Sequence, residues 1–117
     1  MAVSANFLGN FWRFAAIISG VNYLFKANAQ GTSMSFVRVS RRLEMAEKAY
    51  MVDENSWGLG LTYNMLGELY SIKSQSHHED NFIISMNYFL KSISHFEKCQ
   101  HYRGCCTAAQ NLTKICE

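Results

Sequence analysis

Not one of the chain's 117 residues is proline, where average usage of about 5% would supply roughly six. Glycine is modest too, at seven. Sandwiches and barrels need frequent turn breakers, so a β-rich fold is disfavoured and helices with short connections are favoured. Hydrophobic residues make up 49% of the sequence, too many for a disordered chain. The length suits a single domain spanning 1–117, able to bury roughly two thirds of its unfolded surface.

Apolar residues recur with a helical period in five blocks. The first runs from about Asn6 to Ala27, and a polar break follows at Asn28–Ser33. The second, about Met34–Val52, carries a stripe of Phe36, Val37, Val39, Leu43, Ala46, Ala49 and Tyr50. Asp53–Ser56 reads as a turn whose Asp, Asn or Ser can cap the next helix. The third, about Trp57–Ser74, has Leu59, Tyr63, Leu66, Leu69 and Tyr70 as its core. After the polar loop Gln75–Asp80, the fourth block, about Asn81–Gln100, turns Phe82, Met86, Phe89, Ile93 and Phe96 inward. The fifth starts at Arg103.

The blocks repeat. A shift of 46 residues, from Gly58 to Gly104, lays Trp57–Tyr70 on Arg103–Cys116. It also superposes Leu66 on Leu112, Leu69 on Ile115, Leu43 on Phe89, Ala46 on Ser92 and Tyr50 on Phe96. Gly20-x-x-Tyr23 in the first block parallels Gly67-x-x-Tyr70 in the third. A period in the forties with two helices each marks an all-α, helix-turn-helix repeat array, or α-solenoid, of about five helices. A small residue such as Gly67 lets the paired helix approach, and the large Tyr70, one turn on, fills the gap between consecutive pairs. Ser85, Phe89 and Ser92 repeat the small–large–small idea on the partner helix.

Tyr63-x-x-Leu66-Gly67-x-x-Tyr70 resembles the first-helix signature of the tetratricopeptide repeat, and Ser85-x-x-x-Phe89-x-x-Ser92 resembles its second-helix signature. Serines stand here where alanines are commoner, the interhelical loop is longer, and the closing proline is absent. The stretch Phe96–Cys116 is also similar in texture to adaptor proteins of vesicle-fusion disassembly. The resemblance covers most of the chain as about two and a half repeats, and the unpaired fifth helix reads as a terminal cap or as part of a longer array. It implies a non-enzymatic protein-binding module whose first helices line a concave groove. By position, that groove would present Ile17, Val21, Asn64, Glu68, Gln110 and Lys114. Side-chain amides in such slots can hold a peptide backbone. Glu68 would repel a terminal carboxylate, so the expected ligand is a partly apolar or basic protein segment.

Other features bound the function. The net charge of +2 is too mild for a nucleic-acid protein. Arg38, Arg41 and Arg42 form the one basic cluster, a patch for an anionic partner. The first block, with Arg13, Gly20 and Asn22 inside it, is a poor membrane span. Its apolar residues make self-association an expectation. No nucleophile motif or phosphate loop occurs, and no cofactor or metal is expected. Cys99, Cys105, Cys106 and Cys116 crowd the end of the sequence, which suits reduced thiols in a cytoplasmic helix. Two other readings remain. Ala27-Asn28-Ala29 fits a signal cleavage site, which would leave a small secreted helical protein after removal of 1–29. Alternatively, His77, His78, Cys99, His101 and Cys105 would serve a metal or redox protein, although they lack metal-knuckle spacing.

Overall fold

Helix formation begins at Ser4, whose Oγ accepts the backbone N–H of Phe7 at 3.1 Å. That side chain serves one of the amides that a helix start leaves unpaired. The computed structural model describes the backbone of residues 4–30, 33–74 and 79–116, and the side chains of 4–18, 36–72 and 81–116. Five helices follow: α1 (Ala5–Gln30), α2 (Ser33–Val52), α3 (Ser56–Ser74), α4 (Glu79–Lys98) and α5 (Tyr102–Cys116). The described residues contain no strand. The expected all-α helix-turn-helix array is therefore what forms. The chain divides into two compact units, Met1–Asn55 and Ser56–Glu117.

In the first unit α1 packs along α2. The Tyr50 ring lies on Gly9, so close that a Cβ there would come within 2.6 Å of it. Ala16, Val39, Leu43 and Ala46 complete a buried seam of small residues facing large ones. The buried Tyr50 also needs partners for its hydroxyl. It accepts from Arg13 Nε at 3.0 Å and donates to Asn10 Oδ1. Arg42 Nη1 donates to the Ala15 carbonyl at 3.1 Å, and Asn55 Nδ2 to Asn6 Oδ1 at 3.0 Å. α1 runs three residues past the expected end at Ala27, so the backbone is helical through Ala27-Asn28-Ala29. Gly20 and Tyr23, matched above to Gly67 and Tyr70, lie outside the described side chains.

In the second unit α4 packs against both α3 and α5. Gly60 and Gly67 stand seven residues apart on α3, and Phe96 and Phe89 stand seven apart on α4. Running antiparallel, the helices set Gly60 against Phe96 and Gly67 against Phe89, each glycine within 2.6 Å of a ring carbon at the position a Cβ would take. Ser85 Oγ donates to the Gly67 carbonyl at 2.6 Å, and Ser92 Oγ to the Gly60 carbonyl at 2.7 Å. Both serines are fully buried. Alanine would fit the space but leave these bonds unmade, which gives the serines a physical reason. Phe96 is shared further: a Cβ on Gly104 of α5 would lie 2.7 Å from its ring. One phenylalanine thus locks three helices together.

The 46-residue repeat extends to the helix ends. α2 closes with Asn55 N–H donating to Tyr50 O at 3.0 Å and Glu54 N–H to Met51 O at 3.3 Å. α4 closes identically, with His101 N–H donating to Phe96 O at 2.8 Å and Gln100 N–H to Glu97 O at 3.0 Å. Glu54 and Gln100 adopt left-handed φ of 52° and 58°. These are paired Schellman stops without glycine. They end α4 at Lys98, two residues before the expected Gln100. His101 then caps α5: its Nδ1 accepts the Gly104 N–H at 3.0 Å.

Candidate functional site

Four of the six expected groove residues belong to the second unit, and three of them lie together. Asn64 and Glu68 are one turn apart on α3, and Asn64 Nδ2 donates to Glu68 Oε1 at 3.0 Å. From α5, Asn111 Nδ2 reaches Asn64 Oδ1 at 3.1 Å and Glu68 Oε1 at 3.2 Å. Beside this cluster opens a pocket of about 370 Å³, lined by Glu68, Ser71, Phe82, Phe89, Asn111, Lys114 and Ile115. Its walls combine an apolar floor with one carboxylate, one amide, one hydroxyl and one ammonium. Such a mixture suits a side chain with an apolar stem and a polar end.

Although Glu68 keeps exposed surface, crowding at its carboxyl has an electrostatic effect. Partial burial raises its pKa above the ordinary 4.5, opposed by the bonds from Asn64 and Asn111 and by the charge of Lys114. Both amides use the same oxygen, Oε1. The carboxylate is therefore positioned by two amide donors, with the Lys114 charge nearby.

Gln110 is exposed and takes no part in the cluster. Its neighbour Asn111 does. The repeat shift maps Gln110 onto Asn64, so it predicts equivalent positions along two helices. It does not report which α5 residue reaches back to α3. Ile17 belongs to α1 in the first unit and is half-buried, and the side chain of Val21 lies outside the described residues.

Arg38 and Arg41 are exposed, whereas half-buried Arg42 spends Nη1 on the Ala15 carbonyl. The metal reading finds no centre among the described residues: no group of three or more His, Cys, Asp or Glu converges. His101 caps α5. The sulfurs of Cys99 and Cys105 lie 3.6 Å and 3.8 Å from the carbonyls of Phe96 and Ile93. All four cysteines are free. His77 and His78 lie outside the described residues.

An aromatic cluster occupies part of the α3–α4 pair. Tyr88 stacks on Tyr63 at 6.0 Å and tilts against Tyr70 at 5.7 Å. His95 stacks on Tyr63 at 5.4 Å. Lys91 Nζ lies 5.5 Å and 5.6 Å from the ring centres of Tyr63 and Tyr88. Tyr70, expected to fill space between successive pairs, thus packs beside Tyr88 within its own pair.

Among the described residues, no helix is long and apolar enough to cross a membrane. Comparison of the chain with protein-family models, with curated proteins and with solved structures found no match.

Proposed function

We propose that this protein is a non-enzymatic, tetratricopeptide-like interaction module of the cytoplasm that holds an extended protein segment against α3 and α5. The observation that carries this reading is the Asn64–Glu68–Asn111 cluster at the rim of the α3–α4–α5 pocket. It is the side-chain chemistry that can align a peptide backbone. Phe82, Phe89 and Ile115 offer apolar contact, and Glu68 Oε2 is available to a ligand N–H or cation. The preferred segment is apolar with a basic residue, because the Glu68 carboxyl stands beside the apolar floor of the pocket. Lys114 keeps the pocket from favouring cations alone.

Selection of a random peptide library on the full chain tests this. The enriched peptides should pair apolar with basic residues, and they should lose at least tenfold in affinity for an Asn64→Ala, Glu68→Ala double variant of unchanged helicity. Peptides that bind both proteins equally would overturn the assignment.

A further inference from the structure

We propose that the chain self-associates through the outer face of α1, as an antiparallel helix pair with a second copy of itself. Four large apolar side chains stand on that face: Phe7 at 60% exposure, Phe11 at 53%, Phe14 at 57% and Ile18 at 69%. At 100° per residue they fall within an arc of about 60°, so they form one stripe. Gly9 and Ala16, which face α2, lie on the opposite side. Scattered surface apolar residues need no explanation, but a continuous stripe does.

The spacing of the stripe selects its occupant. Positions 7, 11, 14 and 18 step by four, three and four, the pattern of a coiled-coil seam. The series reads the same in either direction. An antiparallel copy therefore meets it in register, with Phe7 opposite Ile18 and Phe11 opposite Phe14. That makes a closed two-fold contact rather than an open chain of copies.

Charge and area agree with this. Between Ser4 and Ile18 the only ionic side chain is Arg13. Its Nε donates to Tyr50 OH, and its guanidinium lies over the Phe14 ring at 5.1 Å, so the one charge beside the seam is held within its own helix pair. A phenylalanine carries about 150–250 Å² of surface, so the stripe with neighbouring Leu8 offers roughly 500 Å² per copy. Two copies bury about 1,000 Å², below the roughly 1,200–2,000 Å² of stable specific interfaces and in the range of weak, transient ones. A reversible, concentration-dependent dimer is the consequence.

Sedimentation of the full chain from micromolar to several hundred micromolar tests the pairing. The wild type should pass from monomer to dimer. Phe11→Glu, Phe14→Glu should remain monomeric throughout, with an unchanged helical circular-dichroism spectrum. Ile83→Glu, Leu90→Glu, which alters exposed apolar residues of α4, should dimerise like wild type. A wild type that stays monomeric overturns the proposal, even if it sediments with anionic vesicles. So does dimerisation that only the α4 variant abolishes. A photo-crosslinker at Phe7 fixes the orientation, because trypsin cleavage after Arg13 separates the two ends of the stripe. It should capture the peptide containing Ile18 of the second copy. Capture of the peptide containing Phe7 overturns the antiparallel arrangement.

Discussion

The ring of Phe96 rests on Gly60, where a Cβ would meet the ring carbon Cδ1 at 2.6 Å. By helix propensity alone, Gly60→Ala should stabilise α3 by roughly 1 kcal/mol. The contact reverses that sign, because a packed ring has little room to move. We expect Gly60→Ala to destabilise the second unit by about 1–3 kcal/mol. Combination with Phe96→Leu should cost less than the two changes summed, since the smaller side chain relieves the clash. Denaturant titration of the four proteins completes the cycle, and strict additivity would mean that the two residues do not oppose each other.

The buried serines make a second prediction. Ser92→Ala removes the 2.7 Å bond to the Gly60 carbonyl without changing the packing. It should cost about 1 kcal/mol. Ser94→Ala, on the exposed side of the same helix, should change the unfolding midpoint little. Equal effects at the two positions would remove the role given to the buried hydroxyl.

At the helix ends the expected direction is opposite. Gln100 holds a left-handed φ of 58° that costs a side-chain-bearing residue energy. Gln100→Gly should raise stability by about 0.5–1 kcal/mol net of the greater freedom of glycine in the unfolded chain. Glu54→Gly, at φ 52°, should do the same for the first unit. Thermal unfolding of each variant measures the gain.

Two groups give pH dependences of opposite sign. His95 stacks on Tyr63 with its Nδ1 buried and unpartnered. Burial first, then Lys98 and Lys91, lower its pKa from the ordinary 6.5. The folded state therefore resists its protonation. Its contribution to stability is complete above about pH 6.5 and is lost as the pH falls toward the lowered folded value. His95→Phe should flatten that slope while keeping the stack. Glu68, with its pKa raised above 4.5 by burial, favours folding while protonated. That contribution is complete below about pH 4.5 and is lost as the pH rises through the folded value. Glu68→Gln should therefore be at least as stable as wild type at pH 7, whereas Glu68→Ala loses the bonds from Asn64 and Asn111. Stability measured from pH 4 to 8 separates the four proteins.

Much of the second unit was legible in the sequence. The period of the apolar residues specifies five helices, and the 46-residue shift equates Tyr50 with Phe96. Gly67, Ser85 and Ser92 were readable as points of close approach. Gly9, Gly60 and Gly104 were not assigned to their rings, although the matched seven-residue spacings of Gly60 and Gly67 and of Phe89 and Phe96 carried that signal. The α3 contact on Phe96 is Gly60, whereas the repeat had drawn attention to Gly58. Asn111 was missed for a different reason. Its role depends on how α5 is rotated against α3, which periodicity leaves open. Arg42 was read as a surface charge because sequence does not show a 3.1 Å bond to a carbonyl 27 positions away.

The central claim is that a peptide segment lies at the Asn64–Glu68–Asn111 rim. Amide-resolved NMR titration of the full chain with a library-selected peptide tests it most directly. We predict saturable shifts concentrated at Asn64, Glu68, Ser71, Asn111 and Lys114, with none on the exposed face of α4. Saturable binding that leaves those five signals unmoved and perturbs other residues would contradict the account.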